Sequence, residues 1–275
     1  MSATVQEIPR ATVVDRVGRR ARDWLPAVAV FGLGIAAWQW LLPDVLHVER
    51  FLVPPFSAVM TTFWDERREL WSAGWFTFRE ALGGFALGSG VAIVAALLLS
   101  RWRRFGEALI PYAAAASAIP IIAFAPITNA WFGLLSPWSK VVISAVLCFL
   151  PVLVSTLRGL TSVRPESLEL MRSYAAGEGA VYRRLRLPSC LPFLFPALKV
   201  ASVLAMIGAV VGDYFGGSTE ALGVQIQSSV ALSQYETAWA AILVASILGI
   251  AFYAALTVAE RFALSWHPST RGTGD

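Results

Sequence analysis

Acid–base, nucleophilic and metal chemistry need suitable side chains gathered in one place, and this sequence offers few. Its histidines are His47 and His267 and its cysteines Cys148 and Cys190, with no metal-ligand spacing among them. Nucleotide hydrolysis requires a glycine-rich loop closing on Lys-Ser or Lys-Thr. The two lysines, Lys140 and Lys199, follow Ser139 and Leu198 instead. No paired carboxylates fall within the apolar runs. The chain is therefore expected to be no enzyme, with no catalytic residue, metal or cofactor of its own. Two features stand out: Asp213 ends an apolar run, where an acidic group is costly and marks function by default, and the segment from Glu169 to Pro188 mixes charge with apolar residues at helical spacing. An interfacial carboxylate near the outer surface, paired or wet, is an equal alternative account of Asp213.

The elements that position these residues follow from composition. The chain is 57% hydrophobic and 15% charged, against about 25% charged in soluble domains. Apolar runs near the ~20 residues needed to cross a bilayer recur along it, and buried backbone amides in lipid require them to be helices. Six spans are expected: Leu25–Leu42, Ala81–Ser100, Leu109–Leu134, Val141–Leu157, Ala197–Phe215 and Ala238–Val258. The net charge of +4 comes from arginine clusters between apolar runs, a topology signal rather than a nucleic-acid footprint. Arg10 to Arg22, Arg101 to Arg104 and Arg158 to Arg186 belong inside, whereas Arg50, Arg67, Arg68, Arg79 and Lys140 fall outside, most of them interleaved with acids including Glu66, Glu69 and Glu80. Both termini are then cytoplasmic. Residues 1–24 read as an uncleaved N-terminal segment, residues 25–260 as one membrane domain and 261–275 as a tail.

Ser57 is expected to cap a short helix in the connection Pro43–Glu80. Pro111, Pro120 and Pro126 each remove a donor from the third span, which should be kinked or broken as a translocation path requires. Pro120, Asn129, Trp131, Asp213 and Tyr214 are the path candidates, although Asn129 and its neighbour Thr128 commonly just bond nearby backbone. Gly83, Gly84, Gly88 and Gly90 predict close helix contact. Gly216 to Gln234 reads as a polar outer loop.

The loop 158–196 is long for its place, and such loops are generally functional. Glu169 to Ala175 is followed by a basic amphipathic stretch ending in Leu187 and Pro188. A short helix with Leu168, Met171, Tyr174 and Ala175 on one side offers an apolar knob to a partner; lying on the inner leaflet is the alternative.

This pattern resembles the EAA loop of ABC importer permeases, with Glu169 on the acidic position, Ala175 on the glycine position and Leu187–Pro188 on the terminal pair. Leu170 and Met171 replace two alanines, and Ala175 must make its turn without glycine's freedom. Phe51 to Ser57, Thr77 to Arg79 with Gly84 and Phe85, Ala118 to Pro120, and Trp131 to Gly133 look like the nitrate, sulfonate, taurine and thiamine-precursor branch. The resemblance implies an all-α membrane protein of the type I importer permease fold, with Glu169, Met171, Tyr174, Ala175, Leu187 and Pro188 in contact with an ATPase. It also implies two ABC ATPase subunits that bind the ATP and Mg, a second permease, either another copy in a homodimer or a relative, an extracytoplasmic binding protein, and a place in the lipid of the bacterial inner membrane. Sulfonates, nitrate, pyrimidines and flavins are the substrate classes left open. An ion-gradient-driven secondary transporter is the competing function, although the matching halves such proteins contain are not evident.

Overall fold

The computed structural model describes residues 25–26, 28–41, 53–101 and 120–264, and every regular element in them is helical. Residues 1–24, His47, Pro111 and the whole tail from 265, including His267, lie outside the described residues. The chain forms two compact units, residues 1–61 and 62–275.

In the first unit, the expected first span appears as a shorter apolar helix, α1 (Val28–Trp40). Its last turn widens to π geometry over Ala37–Leu41. The Trp38 indole donates to the Pro54 carbonyl (3.1 Å) and its ring meets Phe56 edge-on. Ser57 does not cap the next helix, α2 (Phe56–Asp65), but lies inside its first turn. Its backbone N–H, one of the donors a helix start leaves unsatisfied, goes to Gln39 Oε1 (3.0 Å), while the Gln39 amide donates back to Ser57 Oγ (3.1 Å).

Among its described residues the second unit holds four helices long and apolar enough to cross a membrane. They are α3 (Arg67–Leu99), α5 (Pro137–Thr161), the rod Glu178–Tyr214 and α10 (Tyr235–Ala263). Helix α3 begins well before Ala81. Its buried stripe of Leu70, Ala73, Gly74, Thr77 and Ala81 already has i+3/i+4 spacing, but Arg67, Arg68, Glu69 and Arg79 lower the hydropathy of the same turns. At 1.5 Å per residue its 33 residues reach about 50 Å, more than the hydrocarbon thickness of about 30 Å. The third span is described from Pro120 onward, where a 3₁₀ turn (Ile121–Ala123) runs without a gap into α4 (Phe124–Phe132), which contains Pro126 in its first turn and stops at Gly133 with φ 93°. Ser136 then caps α5 by accepting from the Trp138 N–H, with Pro137 in the first turn.

After α5 come α6 (Pro165–Ser173) and α7 (Glu178–Val181). Helix α7 runs through a π turn (Tyr182–Arg186) into α8 (Leu187–Tyr214). The loop expected over 158–196 is therefore mostly helix: its first residues close α5 and its last open α8. The expected outer loop contains α9 (Leu222–Ala231), which packs on α8, α10 and α3.

Lipid supplies no hydrophobic drive between helices, so association rests on backbone proximity and interhelical hydrogen bonds. Helices α3, α5 and α8 make the closest set. Along α8, Ala197, Ala201, Ala205 and Ala209 form a buried stripe at i+4 spacing. Ser144 Oγ and Cys148 Sγ on α5 donate to the Ala205 and Ala201 carbonyls at 3.0 and 3.2 Å. A Cβ added to Gly88 would collide with the Ala145 carbonyl group, whereas one on Gly90 would meet open space. Of the glycines expected at a contact, Gly84 and Gly88 are buried there and Gly90 is not.

Gly88→Ala should therefore cost about 1–3 kcal/mol of overpacking and lower the thermal unfolding midpoint followed by tryptophan fluorescence in detergent. Gly90→Ala should leave it unchanged or raise it, since alanine is the better helix former. Equal effects of the two would contradict this packing.

Candidate functional site

Polar and exposed groups concentrate at the two ends of the bundle. At one end α6 starts from an extended Arg164, with Pro165 in its first turn and Glu166 beside it, and ends in a Schellman turn. The Ala175 N–H donates to the Arg172 carbonyl (2.9 Å) and the Ala176 N–H to the Met171 carbonyl (3.0 Å). Ala175 takes the left-handed conformation at φ 51°, which costs an alanine about 1–2 kcal/mol. Its lack of glycine's freedom therefore does not prevent the turn. Glu169, Tyr174 and Ala175 are exposed, whereas Leu168 and Met171 are half-buried. The outward apolar pair is instead Tyr174, 76% exposed, and Leu170, 58% exposed, one above the other at i and i+4. Leu170 was not among the residues expected on the knob, and Leu168 and Met171, which were, are only half-buried. Leu187 is exposed and Pro188 half-buried in the first turn of α8.

At the other end Asp213 is fully buried. Its Oδ2 accepts from the Thr77 hydroxyl (2.7 Å), and Thr77 Oγ1 accepts from the Leu222 N–H, the first of α9 (3.0 Å). One hydroxyl thus joins α3, α8 and the start of α9. Glu80 and Lys140, both buried, act electrostatically on the same carboxylate. The Lys140 ammonium donates to the Leu134 and Ser136 carbonyls, which belong to the turn before α5. Glu80 and Lys140 were expected in outer loops; they lie instead within the helices α3 and α5. Glu80 sits three residues beyond Thr77 on the small-residue face of α3, so carrying the i+3/i+4 period back from Gly84 would have found it.

The path candidates divide. Asn129 is buried and its Nδ2 donates to the Phe215 carbonyl (3.3 Å), next to Tyr214, whose ring meets Phe215 edge-on. Asp213, Tyr214 and Asn129 therefore share one end of the bundle. Thr128 bonds back to the Phe124 and Ala125 carbonyls, as a helix-interior threonine does. Pro120 and Trp131 are exposed, the latter by 72%. Lys199 lies within the rod and pairs with Glu260 of α10 at 2.6 Å.

Residues 88–263 match the family of binding-protein-dependent transport system inner membrane components. The chain belongs to this family. It is 35% identical over 233 residues to the formylaminopyrimidine transport permease protein ThiX of Halalkalibacterium halodurans, covering 82% of this chain and 90% of that one. It is 31% identical over 269 residues to the riboflavin transport system permease protein RibX of Chloroflexus aurantiacus, covering 96% and 99%. The fold matches the crystal structure of an amino acid ABC transporter with histidines at a TM-score of 0.57 and 16% identity, over 73% of this chain and 97% of that chain.

The protein is thus an ABC importer permease of type I fold, a multi-pass membrane component of transport rather than a catalyst. Nothing in these similarities supports the gradient-driven alternative.

In this permease Thr77→Val should strand the Leu222 N–H and an Asp213 oxygen, at about 1–3 kcal/mol for each unsatisfied group. Thr77→Ser should keep both bonds. A thermal unfolding midpoint that falls far more for valine than for serine is expected; equal falls would contradict the latch.

Proposed function

We propose that this permease imports a flat heteroaromatic solute of the pyrimidine or flavin kind, handed over by an extracytoplasmic binding protein and driven by two ABC ATPase subunits that hold the ATP and Mg. Support for the docking site comes from one observation: Leu170 and Tyr174 stand exposed on a helix whose end is pinned by a Schellman turn, rimmed by Glu169, Arg172 and Glu178. An apolar pair with a charged rim is the form a helix offers to a groove on a partner. Glu169, Met171, Tyr174 and Ala175 make the docking helix, while Leu187 and Pro188 start the rod that carries its movement into α8.

The orientation proposed is cytoplasmic for this end and for both termini, in a bacterial inner membrane. Arg101, Arg158, Arg164, Arg172, Arg183, Arg184 and Arg186 cluster here in the sequence around the coupling segment, while Arg67 and Arg68 at the far end are matched by Asp65, Glu66 and Glu69. Residues 25–260 act as the permease domain, and two copies form the path. ATP-driven closure of the ATPases moves the docked segments and switches the helices between inward- and outward-open states. Tyr214, Asn129, Trp131, Pro120 and Asp213 belong to the path or to the structure that shapes it.

The substrate class is favoured by the two relatives, which are named for a formylaminopyrimidine and for riboflavin. It is also favoured by the lysines of the spans: Lys140 is engaged by carbonyls and Lys199 by Glu260, which leaves neither available to an anion.

ATP hydrolysis by the assembled transporter in nanodiscs tests both parts. Binding protein supplied with a pyrimidine or flavin should stimulate it, and Glu169→Lys should reduce that stimulation severalfold. Stimulation by nitrate or an alkanesulfonate alone would overturn the substrate class, and full stimulation of a normally assembled Glu169→Lys complex would overturn the docking site.

A further inference from the structure

The coupling segment touches the bundle at a second place besides its covalent continuation into α8. The π turn Tyr182–Arg186 sits where the rod leaves α7, and π turns inside helices are frequent at functional sites. Both of its end residues reach Ser100, the residue that closes α3. The Tyr182 hydroxyl pairs with Ser100 Oγ (3.0 Å), and Arg186 Nη1 donates to Tyr182 Oη (3.0 Å) and to the Ser100 carbonyl (3.4 Å). Ser100 Oγ in turn donates to the Leu97 carbonyl (2.8 Å). With that proton committed, Tyr182 must donate to Ser100 and accept from Arg186, so the donors form one directed chain from Arg186 to α3.

The surroundings suit a rigid contact. Ser100 is buried, and the Arg186 guanidinium lies 4.7 Å from the centre of the Tyr182 ring. A cation at the last carbonyls of a helix is favoured by its dipole. The nearby pair of Arg101 with Glu178 (3.6 Å) is exposed and worth little by itself. Helix α5 is tied to the rod differently, by the Cys190 thiol on the Thr156 carbonyl and by Gly159 against the Cys190 backbone.

We propose that Ser100, Tyr182 and Arg186 form a strut that hands the movement of the ATPase-docked segment to the end of α3, with the Tyr182 hydroxyl as its positioning group. This rests on the docking function proposed above. Without the strut the segment drives α8 alone, and α3, which carries Thr77 at its other end, is left to follow through packing.

The test is the amount of solute imported per ATP hydrolysed by the full transporter in proteoliposomes, with co-purification of the ATPase as the control. Tyr182→Phe should leave the ATPase bound and hydrolysing, yet lower import per ATP severalfold. Ser100→Ala removes the same link from the α3 side and should do likewise. Because the two changes break one contact, the double variant should be no worse than either alone. An unchanged ratio in the single variants, or additive losses in the double, would overturn the strut. Failure of the ATPase to co-purify with the wild-type permease would instead sink the docking function on which the strut depends.

Discussion

A polar group inside a lipid bilayer has no water to turn to, so each one carried by a membrane helix must find its partner in the bundle. Thr77, Lys140 and one oxygen of Asp213 meet that constraint by hydrogen bonds that tie α3, α8 and α9 together at one end of the molecule and hold the turn before α5, with Glu80 buried beside them. Removing one member of such a group leaves the others uncompensated, which is far more costly than never having had them. The small-residue faces of α3 and α8 then let the helices come close enough for Ser144 and Cys148 to reach carbonyls across the interface.

The opposite end is built on another principle. There the helices give way to the short α6 and α7, and apolar side chains stand exposed instead of buried. Leu170 and Tyr174 are costly to leave in water unless a partner covers them. The stiffness of this end comes from local backbone bonds: the Schellman turn at Ala175 and the continuous 37-residue helix Glu178–Tyr214. A rigid, exposed segment at one end and a buried latch at the other are joined by the long helices α3 and α8.

The helical, membrane-spanning character of the chain was legible from hydropathy, and the cores of four spans fell where apolar runs predicted them. Their ends did not. Arg67 to Glu80 continues α3, but window-averaged hydropathy cannot see a helix whose buried face is apolar and whose other face is charged. For the same reason Glu80 and Lys140 looked like loop charges, while Asp213, with apolar residues on its N-terminal side, was visible as an anomaly. That a short helix lies around Glu169 was legible from its spacing. Which of its apolar residues face outward was not, since Leu168, Leu170, Met171 and Tyr174 are close enough in the sequence for more than one face of a short helix to be apolar. The link from Ser100 to Tyr182 was likewise invisible, joining residues from separate parts of the chain through a π turn that no periodicity announces.

The docking of the α6 segment on an ATPase is the central claim, and Tyr174 reports on it most directly. Cys148 and Cys190 are buried, so a Tyr174→Cys permease presents one accessible thiol among the described residues to a membrane-impermeant maleimide. Labelling in oriented membrane vesicles should occur from the cytoplasmic face alone and should be suppressed when the ATPase is bound. Labelling from the outer face, or at a rate that the ATPase does not change, would contradict the account.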